Sequence, residues 1–166
     1  MFQPSFLTRA CRLFPGALLL AVGLVSWPCL LLAGTAGQSH STHVTHLTVE
    51  RAYQLSLARK IHLIDIRRPS EWHQTGIPRT ATPITMHQDP TAFLRHLRDV
   101  TKSAPHLPVA LICAHGHRSK YMQKVLARYG YANIIDVGEG MLGSQSGPGW
   151  LKSGLPTQEW KSAATQ

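Results

Sequence analysis

Val109-Ala110-Leu111-Ile112-Cys113-Ala114-His115-Gly116-His117-Arg118-Ser119 is the stretch whose change of character decides the fold. Val109 to Ile112 is continuously apolar and follows a proline, the pattern of a strand buried on both faces of a parallel sheet. Residues 119–129 then place Met122, Val125, Leu126 and Tyr129 at helical spacing, with Gly130 as the stop. Cys113 therefore falls where a strand ends and the loop before a helix begins, the edge of an open α/β sheet at which ligands bind. Successive backbone N–H groups closed by a helix N-terminus concentrate positive partial charge, so an anion belongs there. A cysteine sulfur at the rim of such a loop is expected to be held as the nucleophilic thiolate. Arg118 adds a permanent charge with a fork suited to an oxyanion. His115 and His117 add charge when protonated, and Gly116 lets the loop turn without a Cβ penalty.

Cys113, four intervening residues, then Arg118 and Ser119 resembles the active-site loop of the rhodanese-like sulfurtransferases. The resemblance implies that Cys113 carries a sulfane sulfur as a persulfide. It also implies that Ala114, His115, Gly116, His117, Arg118 and Ser119 hold the sulfur donor, with no metal or organic cofactor. A phosphatase on the related fold has five residues between Cys and Arg, a wider cradle fitted to a phosphoryl group. The four here favour sulfur.

Two further stretches carry the same resemblance. In Ile61-His62-Leu63-Ile64-Asp65-Ile66-Arg67-Arg68-Pro69-Ser70-Glu71-Trp72, residues 63–66 read as a buried strand in which Asp65 is an intruding charge that must find partners. The run resembles the family's apolar-Asp-apolar-Arg motif followed by Glu and an aromatic, and Asp65, Arg67 and Glu71 read as a structural set that tethers a loop. Gly138-Glu139-Gly140, Trp150 and Gly154-Leu155-Pro156 resemble the family's C-terminal signature, with Trp150 as a core anchor. The chain departs from the pattern twice. Thr75-Gly76-Ile77-Pro78-Arg79 lacks the family's His, and the interval from Gly140 to Trp150 is long. Residues 138–149, with five Gly, two Ser and one Pro, read as an inserted flexible surface loop, the alternative being a lid over the site.

The resemblance spans residues 45–158, with 159–166 as a tail. It implies a rhodanese-like three-layer α/β sandwich whose central, mainly parallel five-stranded sheet is flanked by helices. The remaining segments suit that plan. A first short strand is expected near residues 44–47, then a helix from Thr48 with Val49, Ala52, Tyr53, Leu55 and Leu57 as its apolar face. Residues 82–85 read as a short strand and 89–100 as a helix. That helix has Asp89 as N-cap, Pro90 at its first position, and Ala92, Phe93, Leu94 and Leu97 inward. Residues 132–137 read as the last parallel strand.

The front of the chain is different. Arg9 and Arg12 precede an apolar stretch over residues 13–33, and no acidic residue occurs before Glu50. This is a secretory signal pattern, with small residues at Gly34-Thr35-Ala36 placing a mature start near Gly37. An uncleaved anchor over residues 1–36 is the alternative, because the apolar run approaches the ~20 residues that span a bilayer. Residues 37–47 form a polar linker carrying His40, His43 and His46 and running into the first strand. Cys11 and Cys29 fall in the leader, so an exported domain keeps only Cys113 and forms no internal disulfide. Without Arg9 and Arg12, 15 of the 17 Lys and Arg remain against 8 Asp and Glu. That balance suits small anions or an acidic membrane surface; no nucleic-acid motif accompanies it.

These readings lead to an exported, periplasmic or secreted, sulfurtransferase. Its partners are a small anionic donor and a thiol or cyanide acceptor, protein thiols included. Alternatives are a sulfur carrier or sensor serving one protein partner, an oxyanion reductase or phosphatase on the same loop, and a soft-metal site at Cys113, His115 and His117.

Overall fold

The computed structural model describes residues 44–162, so the leader, His40, His43 and the last residues of the tail lie outside the described residues. The elements run α1 (Val49–Leu57), β1 (His62–Asp65), α2 (Pro69–Thr75), β2 (Ile77–Pro78), β3 (Thr82–Pro83), α3 (Pro90–Thr101), β4 (Val109–Ile112), α4 (His117–Arg128), β5 (Ile134–Val137), α5 (Gly149–Lys152) and β6 (Thr157–Gln158). Strands β3, β1, β4 and β5 form one sheet in that order, every pair parallel. The expected fifth strand is reduced to one residue. His46 makes a parallel bridge to Asp136, held by Leu47 N–H to Asp136 O and Asp136 N–H to Thr45 O, both 3.0 Å. The chain leaves for α1 two residues later, because Thr48 caps that helix by accepting from Arg51 N–H. Strands β2 and β6 pair separately as an antiparallel clip that ties the C-terminal stretch to the segment after α2.

Alternation along the strands sorts the core into two layers. Leu63, Ala110, Ile112, Ile135 and Val137 face one side, where Val49, Ala52, Met141 and Trp150 cover them. Ile64, Val109, Leu111 and Ile134 face the other, under Phe93 and Leu97 of α3 and Met122 and Leu126 of α4. Leu57, the last residue of α1, and Tyr129, the C-cap of α4, lie at their helix ends and are exposed rather than inward. Trp150 is fully buried, donates its indole N–H to Pro156 O and packs edge-on against Tyr53. Asp89 caps α3 as expected, accepting from Thr91 and Ala92 N–H.

The strand order fixes where a site can lie. The chain passes from β1 to β3 on one side, then crosses back to β4 on the other, so a crevice opens outside the carboxyl ends of β1 and β4. Arg67 follows β1 there, and Cys113 follows β4.

Candidate active site

Cys113 continues the alternation of β4 onto the α4 side and is only 1% exposed, deeper than the rim position expected of it. Helix α4 begins at His117, two residues earlier than its apolar spacing indicates, because Gly116 at φ +80° serves as its left-handed N-cap. The first bond of the helix is Lys120 N–H to Gly116 O at 3.1 Å, so the opening amides of His117, Arg118 and Ser119 are not used by the helical ladder. The carbonyls of the loop are taken from outside. Met141 N–H holds Cys113 O at 2.8 Å, and Leu142 N–H holds Ala114 O at 2.9 Å. With carbonyls tied back and amides free, the turn around Cys113 has the polarity of an anion cradle. Ser119 Oγ donates to Gly116 O and lies 3.4 Å from Cys113 Sγ, inside the protein.

Residues 138–149 are not a loose surface insertion. Met141 is fully buried, and Glu139, 2% exposed, accepts from Val49 and Gly149 N–H, bracing the starts of α1 and α5. His115 Nδ1–H donates to Gly143 O at 2.7 Å, fastening the sulfur loop to this segment. The composition suggests flexibility; in place the five glycines serve close packing and tight turns.

Asp65 and Arg67 form a buried ion pair. Both are buried, and Arg67 reaches Asp65 through Nε at 3.0 Å and Nη2 at 2.7 Å. Its remaining donors reach Thr75 Oγ1 and Gly76 O, each at 2.8 Å, so the guanidinium locks β1 to the end of α2. Glu71 forms its ion pair elsewhere. Its side chain caps α2 by accepting from Arg68 N–H and also takes both prongs of Arg118, Nη1 to Oε2 at 2.8 Å and Nη2 to Oε1 at 2.6 Å. Arg118, assigned from sequence to the cradle alone, is thus anchored to α2.

The Arg118 hydrogen bond holds the Glu71 carboxyl down to about 2, against partial burial, which opposes ionisation. In turn Glu71 raises the Arg118 guanidinium above its ordinary value, helped by the negative charge it senses from Cys113 and Asp65. A depressed carboxylate stabilises the fold above its unfolded pKa, and that contribution disappears as pH falls through its folded value. The stability difference between the native protein and Glu71→Gln is therefore expected to be full above the ordinary glutamate value of 4.5 and to be lost as pH falls through about 2. Urea unfolding of both proteins across that window measures it; a difference independent of pH would remove the ion pair as its source.

His87, in the turn before α3, was not singled out by the sequence. Its Nε2 accepts from Arg118 Nη1 at 3.4 Å, and burial together with Arg68 and Arg118 lowers its pKa, with Glu71 opposing. No local pattern marks a lone His that meets its partners only in the folded chain. Among the described residues no three His, Cys, Asp or Glu side chains come together as a metal site, so Cys113, His115 and His117 do not converge.

A strand-end cysteine in a backbone cradle, on a parallel sheet with helices on both faces, defines a class of loop-borne thiol proteins. Residues 48–146 match the family model of the rhodanese-like domain, and the chain belongs to that family. Rv0390 from M. tuberculosis has a similar crystal structure, 26% identical, covering 72% of this chain and 100% of that one with a TM-score of 0.53. Uncharacterized proteins of Rickettsia are similar in sequence. RP600 of Rickettsia prowazekii is 26% identical over 120 residues, 69% of this chain and 98% of its own length. RC0915 of Rickettsia conorii is 24% identical over the same shares. Family membership supports sulfurtransferase-type chemistry in general.

Proposed function

We propose that this protein moves a sulfane sulfur from a thiosulfate-like anion to a thiol or cyanide acceptor through a persulfide on Cys113, and that it does so outside the cytoplasm. The observation that carries the chemistry is the placement of Cys113 among unused helix-opening amides, with the Arg118 charge within electrostatic range of its sulfur. The Cys113 thiolate attacks the outer sulfur of the donor. The donor's S–S bond breaks, sulfite leaves with the electron pair, and a Cys113 persulfide remains. An acceptor thiolate or cyanide then takes the outer sulfur and returns Cys113 as thiolate. Ser119 suits both halves, since its single proton serves Gly116 O while Cys113 is a thiol and is free to rotate to an ionised sulfur. The extracytoplasmic location rests on the basic and apolar leader at residues 1–36, cleaved or kept as an anchor.

The test is intact-mass analysis after incubation with thiosulfate. The native protein is expected to gain one sulfur atom, lost again on adding cyanide or a thiol, and Cys113→Ala to gain none. Absence of the adduct across several sulfane donors would overturn the reading. The burial of Cys113 favours a second reading, a carrier that hands its sulfur to one protein partner. It is distinguished by full loading with little turnover on small acceptors.

A further inference from the structure

We propose that His87 is a positioning residue for sulfur-donor binding: it holds one edge of the Arg118 guanidinium and so keeps the opposite edge open for the donor's oxyanion. The proposal rests on the sulfurtransferase reading and adds to it how a charged fork stays available beside an acidic neighbour.

A guanidinium carries its five N–H donors in one plane. In Arg118 the two at the end of the fork go to Glu71, Nη1 to Oε2 at 2.8 Å and Nη2 to Oε1 at 2.6 Å. The outer hydrogen of Nη1 meets His87 Nε2 at 3.4 Å. What remains is Nε–H and the outer Nη2–H, parallel on the far edge and without a partner among the described residues. An oxyanion that binds Arg118 while Glu71 stays paired has that edge to use. Arginine also pairs with carboxylates side-on, through Nε and Nη2. That arrangement would turn the guanidinium about Glu71, carry Nη1 off His87 and aim a different edge at the donor. The His87 contact belongs to the end-on arrangement, so it shifts the balance towards it.

The imidazole is presented by a fixed turn. Met86 N–H donates to Ile66 O at 3.1 Å, His87 N–H to Thr85 Oγ1 at 3.1 Å and Gln88 Nε2 to Thr85 O at 2.8 Å, tying residues 85–88 to the chain after β1. On the other side, Arg68 N–H fixes Glu71 Oε2 at 3.0 Å. The start of α2, the turn before α3 and the start of α4 therefore converge on one guanidinium, within electrostatic range of Cys113.

Only the neutral imidazole can accept. Protonated His87 has a donor at both ring nitrogens and sets a cation against Arg118. The charged groups that face it are Arg68, the N-cap of α2, with Glu71 of α2 and Arg118 of α4. Burial and the two arginines hold its pKa below the ordinary 6.5, with Glu71 opposing, which keeps the accepting form in place at neutral pH. Positioning is lost as pH falls through that lowered value, and donor affinity falls with it. A histidine acting as a plain charge would do the reverse, since a new cation attracts a dianion.

The test is thiosulfate binding to full-length Cys113→Ser protein, which forms no persulfide, from about pH 5 to 8 with His87, His87→Gln and His87→Leu. At about pH 8, His87 and Gln, whose amide oxygen accepts without titrating, are expected to bind alike, and Leu about 2–10-fold more weakly, the range of one neutral hydrogen bond. On acidification the His87 protein should fall to the Leu level, while the ratio of Gln to Leu holds. His115 and His117 are common to all three and cancel in the ratios. With Cys113 restored, the same ratios should appear in the thiosulfate concentration that half-saturates persulfide loading, with the limiting rate unchanged. Equal affinity of His87 and Leu at the alkaline end, no rescue by Gln, or a His87 affinity that rises relative to Gln on acidification would overturn the proposal. If the native protein still loads sulfur, the sulfurtransferase reading survives that result. A native protein that takes no sulfur from thiosulfate or other sulfane donors would overturn that reading, and the donor role of His87 with it.

Discussion

Gly116→Ala is expected to slow persulfide formation about 100-fold, the loss that follows when a reacting group is displaced by about an ångström. Two effects combine at this position. Gly116 sits at φ +80°, where an L residue pays roughly 1–2 kcal/mol, and a Cβ added there would overlap the carbonyl oxygen of Gly138. The backbone must shift to relieve that overlap, and the shift falls on the loop that bears Cys113. Gly130 provides the control. It has φ +87° with no atom within 4 Å of an added Cβ, so Gly130→Ala pays the conformational cost alone and leaves sulfur loading unchanged. Stopped-flow loading with thiosulfate compares the three proteins. Equal rates for Gly116→Ala and the native chain would show that the loop tolerates displacement.

Asp65→Asn is expected to destabilise the fold by about 3–5 kcal/mol, as when one partner of a buried ion pair is removed. The loss comes from what remains. Arg67, 1% exposed, would keep its full charge in the core with no counter-charge, its acceptors reduced to one neutral amide oxygen at position 65 and the Thr75, Gly76 and Glu71 oxygens. Replacing both partners, Asp65→Leu with Arg67→Met, should cost less than the single change, because no unpaired charge is then left behind. Urea midpoints for the two proteins decide this. The opposite order would mean that the pair contributes more than its mutual compensation.

Much of this architecture is legible along the chain because its causes are local. Four consecutive apolar residues after a proline can only be a doubly covered strand here, which places Cys113 correctly at its end. An Asp followed by Pro announces the start of α3. Asp65 is legible as a charge in need of a partner, and the partner is two residues away. What the sequence does not show involves contacts made over long separations. Glu71 and Arg118 are 47 residues apart, and each has a plausible local role, cap and cradle, that hides their pairing. His87 and Asp136 take their surroundings from elements that only the sheet order brings together. The expected first strand is cut to a single bridge at His46 for a local reason that outweighs β propensity, the cap at Thr48 that turns the chain into α1.

The amides that tie back the Cys113 and Ala114 carbonyls come from Met141 and Leu142, and that segment is itself seated by Trp150 N–H on Gly140 O and Leu151 N–H on Met141 O. This order has a consequence during synthesis. Chains emerge from the ribosome N-terminus first, so the thiol is made well before the residues that fasten its loop. Until those residues dock, Cys113 is an unshielded nucleophile open to sulfenic acid formation and to exchange with other thiols. The period of greatest oxidative risk is therefore the interval between translation and final docking. A fragment ending before Met141 would carry the whole Cys-x-x-x-x-Arg loop and still lack the backing that orients it.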